Sequence, residues 1–152
     1  MTGWRLGYAA ANREIIEAML RLEQTTGTCP ASFAQRAGVE ALRGPQDCVD
    51  QMVREYDERR RAIVERLRRI PGVRCAMPRG AFYAFPDFSA LGMPSEELAG
   101  RMLEEAGVSA TAGTVFGDSG EGHIRFSYAT SLPTILEAME KLESFVEGLR
   151  KS

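Results

Sequence analysis

Lysine and histidine are almost missing from this chain of 152 residues. The lysines are Lys141 and Lys151, both near the C-terminal end, and the one histidine is His123. A single histidine excludes a histidine-rich metal site, so we predict no bound metal. The glycine-rich stretch 112–122 lacks the lysine and the following serine or threonine that a P-loop requires, so it is not predicted to be a phosphate loop of that kind.

Long apolar runs, basic segments and paired cysteines are missing as well. The sequence has no apolar run of about 18 residues and no basic segment leading into an apolar one, so neither a membrane span nor a signal peptide is predicted. The net charge of -2 gives no electrostatic basis for binding nucleic acid. Cys29, Cys48 and Cys75 are widely spaced, which is typical of reduced thiols. We therefore expect a cytoplasmic protein without nucleic-acid or membrane partners.

The hydrophobic content of 44% is sufficient for a core, and its spacing predicts alternating helices and strands. Apolar residues recur at helical spacing near 13–24, 30–42, 46–69, 95–106 and 132–149. Strands are predicted at 1–8, 73–77, 81–86, 108–111 and 123–128, with 73–77 and 81–86 forming a hairpin. Asn12, Ser95 and Ser131 are predicted N-caps, and Phe33 and Leu103 are predicted to face inward. The fold class is α/β, with a second half that closes its own core.

Arg5 lies between two glycines in the predicted opening strand. Gly3, Arg5 and Gly7 share one face of that strand, so the guanidinium has room for a bulky anion such as a phosphate or carboxylate. The alternative is a half-buried strand whose arginine reaches out to water. The spacing alone favours this second interpretation.

Arg125 lies in the middle of the predicted strand 123–128. Ile124, Phe126 and Tyr128 alternate onto one face, and Arg125 points to the other. An arginine in such a strand is costly to bury without a partner, so it should meet a carboxylate. The pattern leaves open whether that carboxylate belongs to the protein or to a ligand.

The basic run Arg59–Arg61 interrupts the apolar stripe of the long helix. Glu55, Asp57, Glu58 and Glu65 lie nearby on the same helix. We interpret the run as a solvated face with these carboxylates nearby rather than as an anion site.

Five segments resemble, in the same order along the chain, motifs of one enzyme family. MTGWRLGY at 1–8, TCPASFAQ at 28–35, PRGAFYAF at 78–85, AGTVFG at 112–117 and GHIRFSYATS at 122–131 are similar to segments of class I and II aminotransferases. These are fold-type I enzymes that depend on pyridoxal phosphate (PLP) and are related to aspartate aminotransferase. Ala112 departs from the family pattern, which has a proline there.

The resemblance implies the C-terminal part of the fold-type I architecture. It implies that residues 1–45 end the large PLP-binding domain, 46–70 form the interdomain linking helix, and 71–152 form the small C-terminal domain, which is of the α+β kind. Phe82 and Phe85 are interpreted as core residues of a strand in that small domain.

The resemblance also implies site residues and partners. Arg5 matches the arginine that binds the PLP phosphate, and Arg125 matches the arginine that binds the α-carboxylate of the substrate. The lysine that forms the Schiff base with PLP is expected upstream of Met1, so no catalytic residue is predicted within this chain. We expect amino acids and 2-oxo acids as substrates, a homodimeric parent protein, and an inactive chain when it is alone.

Two other functions remain open from the sequence. The chain could be a non-catalytic module derived from an aminotransferase, acting through binding or dimerisation. It could also belong to a PLP-dependent carbon-sulfur lyase of the same fold, because the two arginines would be shared. The sequence does not determine which amino acid is used.

Overall fold

A computed structural model describes residues 1–27 and 29–150. The chain divides into two compact units, Met1–Cys48 and Val49–Ser152. The helices are α1 (Arg13–Thr26), α2 (Ser32–Arg43), α3 (Asp47–Arg69), α4 (Ser95–Ala106) and α5 (Leu132–Leu149). The strands are β1 (Tyr83–Ala84), β2 (Thr111–Ala112) and β3 (Ile124–Ser127). Thr28, in the second motif, and Lys151 lie outside the described residues.

The opening segment is not the predicted strand. Thr2–Trp4 form a short 3-10 turn, in which Trp4 N donates to Met1 O at 3.0 Å. Arg5 follows in the left-handed region, with φ of 50°. A strand must pair its backbone groups with a neighbour, and this segment pairs with no strand in the described part of the chain. The prediction of alternating faces at 1–8 is therefore wrong.

The rest of the N-terminal unit consists of α1 and α2. The Asn12 side chain accepts from Ile15 N at 3.1 Å, which confirms the predicted N-cap of α1. Ala34 is the buried residue of α2, whereas Phe33 is largely exposed and meets the Trp4 ring edge-on at 5.9 Å. The inward prediction for Phe33 is wrong because α2 has little to pack against within this unit.

The C-terminal unit has the core of the described chain. Its largest fully buried side chains are spread over α3, α4, β3, α5 and the loops between them: Ile63, Leu67, Phe88, Leu98, Met102, Ile124, Tyr128, Met139 and Leu142. Helix α5 covers the range that its periodicity predicts, and Ser131 Oγ accepts from Thr134 N at 3.3 Å as the predicted cap. Leu103 is more than half exposed, so its inward prediction is wrong.

The sheet has three strands in the order β1-β3-β2, and both pairings are antiparallel. Tyr83 lies opposite Ser127, and Thr111 lies opposite Arg125. The predicted hairpin of 73–77 with 81–86 is reduced to one bridge, between Arg74 and Asp87. This prediction fails because β1 pairs with the distant β3 instead, which places β3 in the centre of the sheet.

The start of α4 differs from the predicted cap. Ser95 is the first residue of the helix, and its own N–H donates to the Glu121 carboxylate at 2.8 Å. Ser95 Oγ also donates to Glu121 at 3.1 Å and accepts from Gly122 N at 2.8 Å. A carboxylate from 26 residues away therefore satisfies the helix end, and Ser95 does not act as the local cap.

Among the described residues, no helix combines the length and the apolar character needed to cross a membrane.

Candidate functional site

Arg125 projects from the central strand of the sheet. Its neighbours Ile124 and Phe126 are buried beneath the sheet, as the alternation predicts, and Arg125 lies partly buried on the opposite face. Tyr83 of β1 and Thr111 of β2 flank it from the two sides. The short strands and their register thus place one cation among side chains from three separate segments.

The Arg125 guanidinium contacts two aromatic rings. Its Cζ lies 4.5 Å from the centroid of the Tyr83 ring and 4.6 Å from that of Phe116. One amino group, Nη2, lies 3.4 Å from Thr111 Oγ1. Cation–π contacts stabilise the charge without using the in-plane N–H donors, so these donors stay available for a ligand.

No carboxylate pairs with Arg125 in the part of the chain that the structure describes. The sequence left open an internal aspartate or glutamate partner, and the structure supplies none. A half-buried guanidinium that contacts aromatic rings and lacks an anion is arranged to accept one, because its planar fork matches a carboxylate bidentately.

Further aromatic groups surround this position. The Phe85 ring stacks on His123 at 5.0 Å and meets Phe116 edge-on at 6.1 Å. Phe85 and Phe82 are 41% and 38% exposed, so the interpretation of both as core residues is wrong. Phe85 follows the buried Ala84 and therefore projects to the opposite face, beside His123. Phe82 precedes β1, and its ring contacts those of Tyr56 and Tyr83.

The segment before β1 is held from below by Tyr128. This tyrosine is fully buried, and its hydroxyl donates to Ala81 O at 3.1 Å. A tyrosine hydroxyl is protonated at neutral pH and can donate; burial raises the pKa of Tyr128 further in the same direction. Ala81 has a left-handed φ of 57°, a conformation that this hydrogen bond helps to hold.

The basic run of α3 is not an anion site. Arg59 pairs with Glu55 at 3.2 Å, Arg60 pairs with Asp57, and Arg61 pairs with Asp57 at 2.8 Å. The hydrogen bonds from Arg60 and Arg61 lower the pKa of Asp57, and the bond from Arg60 is the main cause. The nearby carboxylates do pair with the run, but Arg59 and Arg60 are only 22% and 24% exposed, so the interpretation as a solvated face holds only for Arg61.

Arg5 belongs to the N-terminal unit, and Arg125 belongs to the C-terminal unit. The Arg5 side chain is exposed and has no hydrogen bond or ion pair among residues 1–27 and 29–150. An added Cβ at Gly3 or Gly7 would meet no atom within 4 Å, so the surroundings are open on both sides. The left-handed backbone of Arg5 is unusual for a residue other than glycine, and such strain is more frequent at functional positions.

A family model described as "Aminotransferase class I and II" matches residues 1–142. The chain belongs to this aminotransferase family. An aspartate aminotransferase of Pyrococcus horikoshii is 45% identical over 150 residues, which are 97% of this chain and 38% of that protein. A putative aminotransferase of Bacillus subtilis, YugH, is 44% identical over 146 residues, covering 96% of this chain and 38% of the relative.

The solved structures agree with this assignment. The crystal structure of an aromatic aminotransferase from Pyrococcus horikoshii superposes with a TM-score of 0.93 and 41% identity, covering 99% of this chain and 40% of that one. The α/β class and the fold-type I architecture predicted from the motifs are therefore confirmed. The chain spans less than two fifths of the length of the curated relatives.

The family depends on pyridoxal phosphate, as the sequence predicted. Arg5, an exposed guanidinium without an ion pair among the described residues, has the chemistry needed to bind a phosphate such as that of the cofactor. Among the described residues, no cluster of histidine, cysteine, aspartate or glutamate could hold a metal ion.

Sequence reasoning did not identify the residues that contact Arg125. Thr111 and Tyr83 were only strand residues in the pattern, and Phe116 was only part of a glycine-rich loop. The alternation within β1 and β3 gives a partial signal, since Tyr83 and Arg125 project from the same face. Nothing local to the sequence indicates that Phe116 would reach them.

Proposed function

We propose that the protein to which this chain belongs is a PLP-dependent aminotransferase, which transfers an amino group between an amino acid and a 2-oxo acid. The observation that carries this proposal is the Arg125 guanidinium, which contacts two aromatic rings and has no carboxylate partner within the described residues. Both classes of substrate share an α-carboxylate, so one arginine serves both halves of the reaction.

In this proposal Arg125 binds and orients the α-carboxylate, while Arg5 binds the cofactor phosphate. PLP, when bound, supplies an electron sink for the bond changes at the amino-bearing carbon. The two hydrogen bonds of one bidentate contact fix the carboxylate plane and so restrict how the substrate approaches the cofactor. The rings of Tyr83 and Phe116 cover part of the guanidinium and keep water from that part, which strengthens its attraction for an anion.

The proposal extends to the setting of the whole protein. A homodimer in the cytoplasm, with a role in amino-acid biosynthesis, is consistent with the family and with the spacing of the cysteines. The lysine that reacts with PLP is proposed to lie outside this chain, because no lysine precedes Lys141. The chain alone would then bind ligands without catalysing transfer.

The test is Arg125→Ala in the complete protein encoded by the gene. We expect kcat/KM to fall about 100-fold for amino acids and 2-oxo acids alike, because a lost bidentate charge pair costs about 3 kcal/mol. Arg101→Ala is the matched control. Arg101 also lies over a ring, that of Phe145, but it pairs with Glu105 on the surface of α4. An unchanged kcat/KM in Arg125→Ala would contradict the proposal.

The same assay separates the other two functions. Release of a thiol, ammonia and a 2-oxo acid from a sulfur-containing amino acid, without transfer of the amino group to an acceptor, would identify a carbon-sulfur lyase. Absence of turnover in the complete protein would favour a binding or dimerisation module.

The chain alone is tested by borohydride reduction in the presence of PLP. We expect no stoichiometric pyridoxyl-lysine, because the two lysines lie far along the chain from Arg5. Mass spectrometry of the peptides would locate any adduct. A stoichiometric adduct at one lysine together with amino transfer would show that the chain is catalytic without further residues.

A further inference from the structure

Phe116 has an unusual position for an aromatic residue. Its side chain is 52% exposed, yet its ring lies 4.6 Å from the Arg125 Cζ and meets Phe85 edge-on at 6.1 Å. It projects from residues 113–122, which we call the glycine loop because four of the ten are glycine. An exposed ring on a loop would be mobile unless the loop itself were held.

The glycine loop is held by its backbone. Gly113 N donates to His123 O at 2.8 Å, and Gly120 N donates to Gly117 O at 2.9 Å. A Cβ added to Gly113 would lie 2.1 Å from Gly120 O, and a Cβ on Gly120 would lie 2.1 Å from Gly113 O. The two ends of the loop therefore approach as closely as only glycine permits.

The loop is also fastened to α4. Glu121 accepts from Ser95 N at 2.8 Å and from Gly122 N at 3.0 Å, and the buried Ser95 hydroxyl joins the same network. These contacts fix the C-terminal end of the loop to the start of α4. With its two ends held close together and one of them fastened to α4, the loop presents Phe116 to Arg125 in a defined position.

Arginine has a long side chain whose free rotation must be lost when it binds a carboxylate bidentately. At Arg125 the ring of Tyr83 contacts the guanidinium from the sheet, and that of Phe116 contacts it from the loop. Thr111 Oγ1 takes one donor at 3.4 Å. The remaining donors are thus oriented before any ligand arrives.

We propose that Phe116 is a positioning residue for Arg125. Its ring, presented by the glycine loop, holds the guanidinium in the orientation that receives a carboxylate. The inference rests on the proposed function of Arg125. It concerns how rigidly the Arg125 side chain is held before a ligand binds, and this can be measured without a substrate.

The experiment is nitrogen-15 NMR of arginine Nε–Hε groups in the 152-residue chain, comparing the original sequence with Phe116→Leu. We expect the heteronuclear NOE of Arg125 to fall toward, but not to, the value of Arg79, an exposed arginine without an ion pair in the described chain, because Tyr83 and Thr111 still contact the guanidinium. Phe116→Tyr, which keeps a ring, should restore the NOE. Since Phe116 is half exposed, the leucine variant is not expected to unfold the unit.

Phe145→Leu is the matched control. It removes the ring near Arg101, whose Cζ lies 5.9 Å from the Phe145 centroid, and it should leave Arg125 unchanged. An unchanged Arg125 NOE in Phe116→Leu would overturn the proposal. An equal fall in the NOE of Arg101 in Phe116→Leu would also overturn it, because that would indicate general loosening of the unit.

A second measurement uses the complete protein. Phe116→Leu should raise the KM for the amino acid and the 2-oxo acid about two- to tenfold while kcat changes less than about twofold, since only the ordering of Arg125 is lost. A fall in kcat with constant KM would overturn the positioning role. If Arg125→Ala leaves kcat/KM unchanged while Phe116→Leu still disorders Arg125, the proposed function fails and the positioning of the side chain stands.

Discussion

Arg125 is a cation on this sheet that is stabilised by aromatic rings instead of a carboxylate. A half-buried cation usually needs a carboxylate, but here the faces of Tyr83 and Phe116 provide the attraction. Such contacts are weaker than an ion pair and leave the N–H groups free. The arrangement leaves donors in the guanidinium plane that the proposed function assigns to the α-carboxylate of a substrate.

Gly113, like Gly120, leaves no room for a side chain. Gly113→Ala would place a Cβ 2.1 Å from the Gly120 carbonyl oxygen, and backbone cannot move aside as a flexible side chain can. We expect the free energy of unfolding to fall by about 3 kcal/mol or more in urea denaturation.

Gly100→Ala is the matched control for that substitution. A Cβ at Gly100 meets no atom within 4 Å, and the residue lies inside α4. Alanine there should raise the free energy of unfolding by about 0.5–1 kcal/mol, because alanine favours the helix. Equal effects of the two substitutions would contradict the proposed closeness of the loop ends.

Glu121 gives the C-terminal unit a dependence on pH. Hydrogen bonds from Ser95 N and then Gly122 N lower the pKa of this carboxyl below its ordinary value of 4.5. A group with a lowered pKa stabilises the folded state above its ordinary pKa, and the contribution is lost as pH falls through the folded value. Glu121→Gln should therefore be less stable than the original at pH 7, with the difference shrinking below pH 4.5.

Urea denaturation at pH 7, 5 and about 3 measures this prediction. Glu104→Gln serves as the control, because Glu104 is exposed on α4 and has no ion pair within the described residues. A stability difference for Glu121→Gln that is constant over the whole range would contradict the role of the charge.

At the scale of elements, the two long helices of the C-terminal unit are stabilised in different ways. Helix α5 has a local cap at Ser131 and buries Ile135, Met139, Leu142 and Val146 along one face. Helix α3 buries Ile63, Val64 and Leu67 near its C-terminal end, whereas Val49, Met52 and Val53 near its start are largely exposed. The stability of α3 therefore comes mainly from its second half.

Ser131→Ala tests the local cap. Loss of the hydrogen bond to Thr134 N should lower the free energy of unfolding by about 1 kcal/mol, because α5 packs on the core and cannot fray independently. Ser144→Ala is the control within the same helix. Its hydroxyl donates only to Glu140 O, so a change within about 0.5 kcal/mol is expected. Equal losses in the two variants would contradict the role of Ser131.

At the scale of the whole molecule, the two units differ in the depth of their cores. Helix α1 buries none of its residues, and large apolar side chains of the N-terminal unit are exposed, among them Trp4, Tyr8, Ile15, Met19, Leu20 and Leu22. The C-terminal unit encloses a continuous cluster that includes Leu67, Leu98, Ile124 and Met139. Exposed apolar area of this kind favours association with other protein surface.

Hydrogen exchange measures this difference. We expect slow exchange in β3 and α5, where opening requires disruption of the core, and fast exchange in residues 1–27, where local opening is enough. Light scattering should show self-association that increases with concentration. Uniformly slow exchange in a monomer would contradict this prediction and would mean that the N-terminal unit is stable by itself.

The sequence by itself determined the features that depend on near neighbours. The period of Ile135, Met139 and Leu142 and the cap at Ser131 are sufficient for α5, because helix formation rests on contacts three and four residues apart. The alternation around Arg125 predicted which side of β3 is buried. The motifs indicated the family, because each is a short run of residues that can be recognised without a fold.

Tertiary structure decided the features that join distant residues. The conformation of residues 1–8 depended on whether a strand lay beside them, and the cap of α4 came from Glu121 rather than from Ser95. The partners of Arg125 come from three segments, Tyr83, Thr111 and Phe116, whose meeting depends on strand register and on the backbone of the glycine loop. Local propensity cannot predict such contacts, because they join residues far apart in the sequence and form only once the chain has folded around its core.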